Sequence, residues 1–121
     1  MFHDKDVQWQ PIERLDTVLG LVRGMMEETR EQRSHFREAG VADLDSATIA
    51  RTRRAYADRL DLIALFREQL ARWRQERPSP AQTKKLGETE TLLDEDEQLS
   101  REILGTFGVH DQGDRKDQGR N

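Results

Sequence analysis

The chain predicts an all-α fold: an antiparallel three-helix bundle, or a long helical hairpin with a third helix laid against it. Three observations carry this. Apolar residues recur at helical spacing through three long segments, and no segment alternates apolar and polar as a half-buried strand would. Between Ile12 and Phe107 the only prolines are Pro78 and Pro80, so helix breakers are confined to one place.

The first helix should open at Pro11, whose fixed φ and missing N–H suit a first turn. Its apolar stripe reads Ile12, Leu15, Val18, Leu19, Val22, Met25 and Met26. Glu27 to His35 then contains no apolar side chain, Phe36 follows, and Gly40 is the natural stop. Asp43, Asp45 and Ser46 are cap candidates for the second helix, which should run from Ala47 to Arg77, a length of about 46 Å. Its stripe is Ile49, Tyr56, Leu60, Ile63, Phe66, Leu70 and Trp73, with Arg51, Arg53, Arg54 and Arg59 crowding the first half. Ser79 and Pro80 supply the cap and first-turn proline of the third helix, whose stripe runs from Leu86 through Leu92, Leu93, Leu99, Ile103 and Leu104 to Phe107. Gly105 and Gly108 close it.

Short connections make sequential helices antiparallel neighbours. Residues whose numbers sum to about 84 should then face each other across the first turn, and those summing to about 157 across the second. This register sets Met26 against Asp58, Glu31 near Arg53, and Asp96 near Arg59. It predicts a bundle dry at one end and polar at the other.

A chain of 121 residues is one domain: an arm over 1–10, the bundle over 11–108, and a disordered polar tail over 109–121. With 34% hydrophobic and 36% charged residues, the apolar surface is thin for a self-sufficient monomer, which points to a protein partner or a homo-oligomer. The net charge of −4 comes from interleaved signs, unlike the one-signed basic face of a nucleic-acid binder. The absence of cysteine excludes disulfides and thiolate metal sites. The longest apolar run, Val18 to Val22, is far short of the about 20 residues that span a bilayer, and the N-terminus lacks the order of a secretory signal. The expectation is a cytoplasmic protein without a membrane segment and without a cofactor.

Few residues suggest chemistry. Glu27, Glu28, Glu31 and His35 offer carboxylates and an imidazole on one helix, the raw material of a carboxylate-bridged metal centre. The alternative to an interaction protein is therefore a metal site on Glu28, Glu31 and His35, completed between subunits. Arg30 and His35 spell an Arg-x4-His motif that resembles the one in HEPN ribonucleases. In those all-helical domains the arginine and histidine act on an RNA phosphodiester. Here the motif lies on the first helix with Glu31 after the arginine.

Gly20 and Gly24, four apart inside the first helix, each cost up to about 1 kcal/mol relative to alanine. Close approach of the third helix or of a second subunit would offset that cost. Trp9, Met25 and Trp73 complete the expected partner-binding set, because tryptophan is enriched at binding hot spots. Asp96 interrupts the apolar stripe of the third helix, and Arg59 is its expected partner in a structural polar pair. The glycine-rich phosphate loop, nucleophile elbow and dinucleotide fingerprint are missing. The leading function is a non-enzymatic interaction module, an adaptor or chaperone-like subunit.

Overall fold

A computed structural model describes residues 8–40 and 42–108 of the chain. Met1–Val7, with Phe2 and His3, and the predicted tail from Val109, with His110, lie outside the described residues. Among the described residues three α-helices make up the fold: α1 (Leu15–Ala39), α2 (Ser46–Arg74) and α3 (Pro80–Thr106), with a 3-10 turn, Ile12–Arg14, ahead of α1. Among the described residues there is no strand.

Local chemistry sets each boundary. Pro11 is extended and starts the 3-10 turn, its carbonyl accepting from the Arg14 N–H at 2.9 Å. α1 ends at Gly40, whose φ of 84° is a conformation that side-chain-bearing residues resist. Asp45 caps α2 by accepting the Thr48 N–H at 2.7 Å. Ser79 and Gln82 form a reciprocal capping box on α3, with Pro80 inside the first turn. α2 stops at Arg74, three residues short of the expected end. The chain must reverse before Pro78, so Gln75 and Glu76 turn out of the helix and Arg77 takes a left-handed φ of 56°.

Ion pairs record the packing directions. Asp16 meets Lys85, Arg23 meets Glu88, Arg30 meets Glu95 and Arg33 meets Glu102, so numbers rise together and α1 and α3 are parallel. Arg74 pairs with Glu90 at 2.9 Å, Arg67 with Glu97 at 2.5 Å and Asp94 at 2.7 Å, so α2 runs antiparallel to α3. α3 packs closely along both other helices, whereas α1 and α2 meet chiefly through side chains.

The interior is layered, and here the expectation of one dry and one polar end is corrected. One apolar cluster joins Leu15, Val18 and Val22 to Ile63, Leu70, Trp73, Leu86 and Leu93. A second joins Tyr56, Ile103, Leu104 and Phe107, flanked by Phe36, Leu44 and Ile49. Thr29, Arg59, Asp96 and Ser100 form a polar layer between them. The second cluster exists because all three helices contribute large side chains there, one from α1 and several each from α2 and the end of α3, and the Phe36 and Phe107 rings meet edge-on at 5.2 Å. Arg53 closes it by donating from Nη2 (2.6 Å) and Nε (3.2 Å) to the Phe107 carbonyl, one of the orphan acceptors at the end of α3.

Gly20 and Gly24 are exposed, and a methyl group on either would meet nothing within 4 Å. The close approach to the third helix is therefore absent; α3 packs on the other flank of α1, against Arg23 and Arg30. Gly20→Ala and Gly24→Ala should each raise stability by about 0.5–1 kcal/mol, since alanine restricts the unfolded chain and clashes with nothing. Urea denaturation of the two variants checks this, and a loss of stability in either would contradict the open geometry.

Candidate docking groove and its polar floor

The central layer is built around Arg59. Its Nη1 donates to the Met25 carbonyl (3.1 Å), to the Thr29 hydroxyl and to Asp96 Oδ2 (3.2 Å), while Nη2 donates to Glu28 Oε1 at 2.9 Å. Asp96 is 0% exposed and also accepts from Ser100 Oγ at 3.2 Å. Thr29 turns its own hydroxyl proton to the Met25 carbonyl. One guanidinium thus ties all three helices, and the structure brings Arg59 and Asp96 together across the α2–α3 interface. Among the described residues Arg33 Nε is the single buried side-chain nitrogen or oxygen lacking a hydrogen bond. A layer this fully satisfied favours one register rather than a reactive group.

A strap leads into the bundle at the other end of α2. The Gln10 N–H donates to Gln69 Oε1 (2.7 Å), Gln69 Nε2 donates back to the Gln10 carbonyl (3.3 Å), and Trp73 Nε1 donates to the same carbonyl at 2.8 Å. The side-chain amide of Gln69 thereby serves both the N–H and the carbonyl of one residue, as a neighbouring strand would. Trp73 is fully buried and offers no surface to a partner. Trp9 is half-buried, with the Arg72 guanidinium 4.2 Å from its ring centroid. Beneath it lies a cavity of about 130 Å³ whose walls include Val18, Leu62, Leu65 and Phe66.

This cavity, with Val18 of α1 and Leu62, Leu65, Phe66 and Gln69 of α2 in its lining, marks one end of the α1–α2 seam, and the candidate docking groove follows that seam along the exposed side chains of both helices. Thr17, Leu21, Gly24, Glu28 and Glu31 follow one stripe of α1; Ala55, Asp58, Leu62, Leu65 and Gln69 follow one stripe of α2. The reach of Arg59 to Glu28 and Met25 sets the level, with Leu21 opposite Leu65, Gly24 opposite Leu62 and Glu28 opposite Asp58. None of these residues is buried except Gln69. Leu21, 56% exposed, is the large hydrophobic side chain left most open among the described residues.

No protein-family model, no curated protein and no solved structure matches this chain. The reading of the site therefore rests on its geometry. Glu28, Glu31 and His35 do not converge: Glu28 is held by Arg59, Glu31 is exposed, and the exposed His35 lies edge-on to Phe36 at 5.7 Å. Among the described residues no three His, Asp or Glu side chains are placed to hold a metal ion. Arg30, half of the Arg-x4-His motif, is engaged by Glu95 of α3, which raises its pKa through a hydrogen bond and opposite charge. Met25 is half-buried and contributes its carbonyl to the Arg59 layer.

Sequence reasoning missed the Gln69 clamp, the Arg53 cap and the exposed stripe through Leu21. Only the last left a signal: Leu21 stands off the main apolar stripe, level with Thr17 and Gly24.

Two of the shifted groups are carboxyls and one is a phenol, and these should make the stability of the bundle depend on pH. Burial pushes Glu97 up, but hydrogen bonds from Arg101 and Arg67 outweigh it and hold the carboxyl below its ordinary value. Asp45 is lowered by the Thr48 N–H it caps. Both carboxyls are thus more acidic folded than unfolded. Their contributions are complete at neutral pH, fade as pH falls through the ordinary carboxylate range near about 4, and are lost below the folded values. Glu97→Gln should shallow the decline of the urea midpoint across that range; an unchanged slope would mean the Arg67–Glu97–Arg101 set contributes nothing. Tyr56 shifts the other way, raised chiefly by burial, so its contribution is lost only in strong alkali.

Proposed function

We propose that this protein is a non-enzymatic helical interaction module, acting in the cytoplasm as an adaptor or chaperone-like subunit, that uses the α1–α2 groove to hold another protein or a second copy of itself. The carrying observation is the open seam: two helices are mounted side by side on α3 with their shared face uncovered, exposing Leu21 beside the half-buried Leu62 and Leu65. Apolar residues at helical spacing on two facing rods are the usual receptor for an amphipathic helix. An exposed seam of this kind gains from being covered, by about 25 cal/mol for each Å² of apolar surface removed from water. The polar layer keeps the two walls at a fixed separation, so the groove is preformed and little ordering cost falls on binding. No helix among the described residues is long and apolar enough to cross a membrane.

Two measurements test this reading. Sedimentation velocity at micromolar concentration reports self-association, and affinity capture from the source cells reports a partner; both are compared with a Leu21→Glu, Leu65→Glu variant. The expected result is a complex of one kind or the other that the variant loses. A monomer whose captured proteins are the same with and without the two glutamates would overturn it.

A further inference from the structure

We propose that the α1–α2 groove takes a basic amphipathic helix of a partner protein, seated where a fourth helix of the bundle would lie. This rests on the groove being an interaction surface, and charge decides the occupant. The acids of α3 are consumed internally: Glu88, Glu90, Asp94, Glu95, Glu97 and Glu102 each meet an arginine of α1, α2 or α3. Along the groove the balance is reversed. Among the described residues Glu31 and Asp58, which line its walls, and Asp61 on the adjoining flank form no ion pair; Glu27 on the other flank has only the field of Arg30, and Glu28 has the part-buried Arg59. Of the basic residues on these flanks, Arg51 is engaged by Thr48 and Arg72 by Trp9 and Glu68, while the exposed Arg54, beside Ala55, offsets part of the acidic charge without reversing it.

The groove also has a direction. From the Trp9 end it passes Leu21 and Leu65, then Gly24 and Leu62, and only then Glu28, Asp58 and Glu31. An occupant helix must therefore be apolar along one half of the docked face and carry lysine or arginine along the other. The glycine at position 24 lets a backbone come close at the midpoint, where a larger residue would hold it off. A second copy of this chain fits poorly: however the two grooves are juxtaposed, their carboxylates face apolar residues or further carboxylates. Like-charge juxtaposition selects against such a pairing.

The probe is a labelled, amidated helical peptide of about 18 residues, some 27 Å of helix, with leucines and alanines on its N-terminal half-face and lysines on its C-terminal half-face. Its control has every lysine replaced by glutamate. Fluorescence anisotropy with the full chain should show the lysine peptide binding at least about tenfold more tightly than the glutamate peptide. Leu21→Glu should weaken the lysine peptide by a similar factor, and so should Glu31→Lys combined with Asp58→Lys. All three are exposed sites, and thermal melts confirm that the variants stay folded. Raising ionic strength should weaken the lysine peptide selectively.

Equal affinity for the two peptides, or preference for the acidic one, overturns the basic-partner inference while leaving the interaction module intact. Two further results do the same: dimerisation that Leu21→Glu abolishes, and contacts between the Phe2 ring and the Leu21 methyls in the free protein by NMR. They would assign the groove to a second copy or to the chain's own N-terminal residues. Absence of peptide binding together with a monomer that captures nothing overturns both.

Discussion

Replacing Asp96 with alanine should destabilise the bundle by about 3 kcal/mol, read as a lower urea midpoint at unchanged slope. Loss of the carboxylate leaves Arg59, whose side chain is only 15% exposed, with its positive charge opposite an empty interior wall. Ser100 loses its acceptor at the same time. The cost stays below that of stranding a fully buried ion because Arg59 retains Glu28, Thr29 and the Met25 carbonyl. Against a typical total of about 5–15 kcal/mol, the loss is large.

The informative companion is the double replacement Arg59→Met, Asp96→Leu. Apolar side chains of similar volume avoid the desolvation of two charges, so the double variant should lie within about 1 kcal/mol of the parent, or above it. If the pair sets the helix register, that variant should keep its stability but broaden its amide NMR spectrum as alternative registers become populated. A loss under about 0.5 kcal/mol for Asp96→Ala, within the range of ordinary surface changes, would show that the layer is no structural keystone.

Trp73→Ala should cost more, about 4 kcal/mol. The indole is fully buried in the larger apolar cluster, and its Nε1–H is one of three hydrogen bonds that hold Gln10. Removal leaves a cavity between α2 and α3 and frees one acceptor of the strap. Trp73→Phe separates the two effects. It keeps most of the volume and loses the hydrogen bond, so about 1–2 kcal/mol is expected. In both variants amide exchange at Gln10 should accelerate beyond the change in global stability, because that N–H is protected by Gln69 alone once the strap loosens. Exchange that tracks global stability would mean that Gln69 suffices to hold the strap.

Much of this architecture is legible in the residues, for identifiable reasons. Pro11, Gly40, Ser79 and Pro80 punctuate the chain by backbone chemistry that tertiary packing does not override. The two turns are short enough to fix which residues lie level, which is why Arg59 lies beside Asp96 and within reach of Met25. What could not be read depends on direction rather than level. Whether Phe36, Ile49 and Tyr56 would meet Ile103 and Phe107 turns on the rotation of each helix about its axis. Their isolated spacing among arginines resembles a solvated face. Leu21 does stand off the core stripe in the sequence, but which neighbour its side of α1 would lie beside turns on the same rotation. Gly20 and Gly24 mislead in the opposite sense, suggesting a contact with α3 where the fold leaves open space.

The parallel pairing of α1 with α3 bears on how the chain comes off the ribosome. Helices adjacent in sequence usually shelter each other first, because closing a short loop loses little entropy. Here the neighbours α1 and α2 share little backbone contact, and the better shelter for each is the helix synthesised last. A nascent chain that has emerged only as far as Arg77 therefore holds two amphipathic rods whose shared apolar side chains lack their third wall. It stays open to chaperones or to a partner until Leu86, Leu93 and Ile103 arrive and all three helices close in one step.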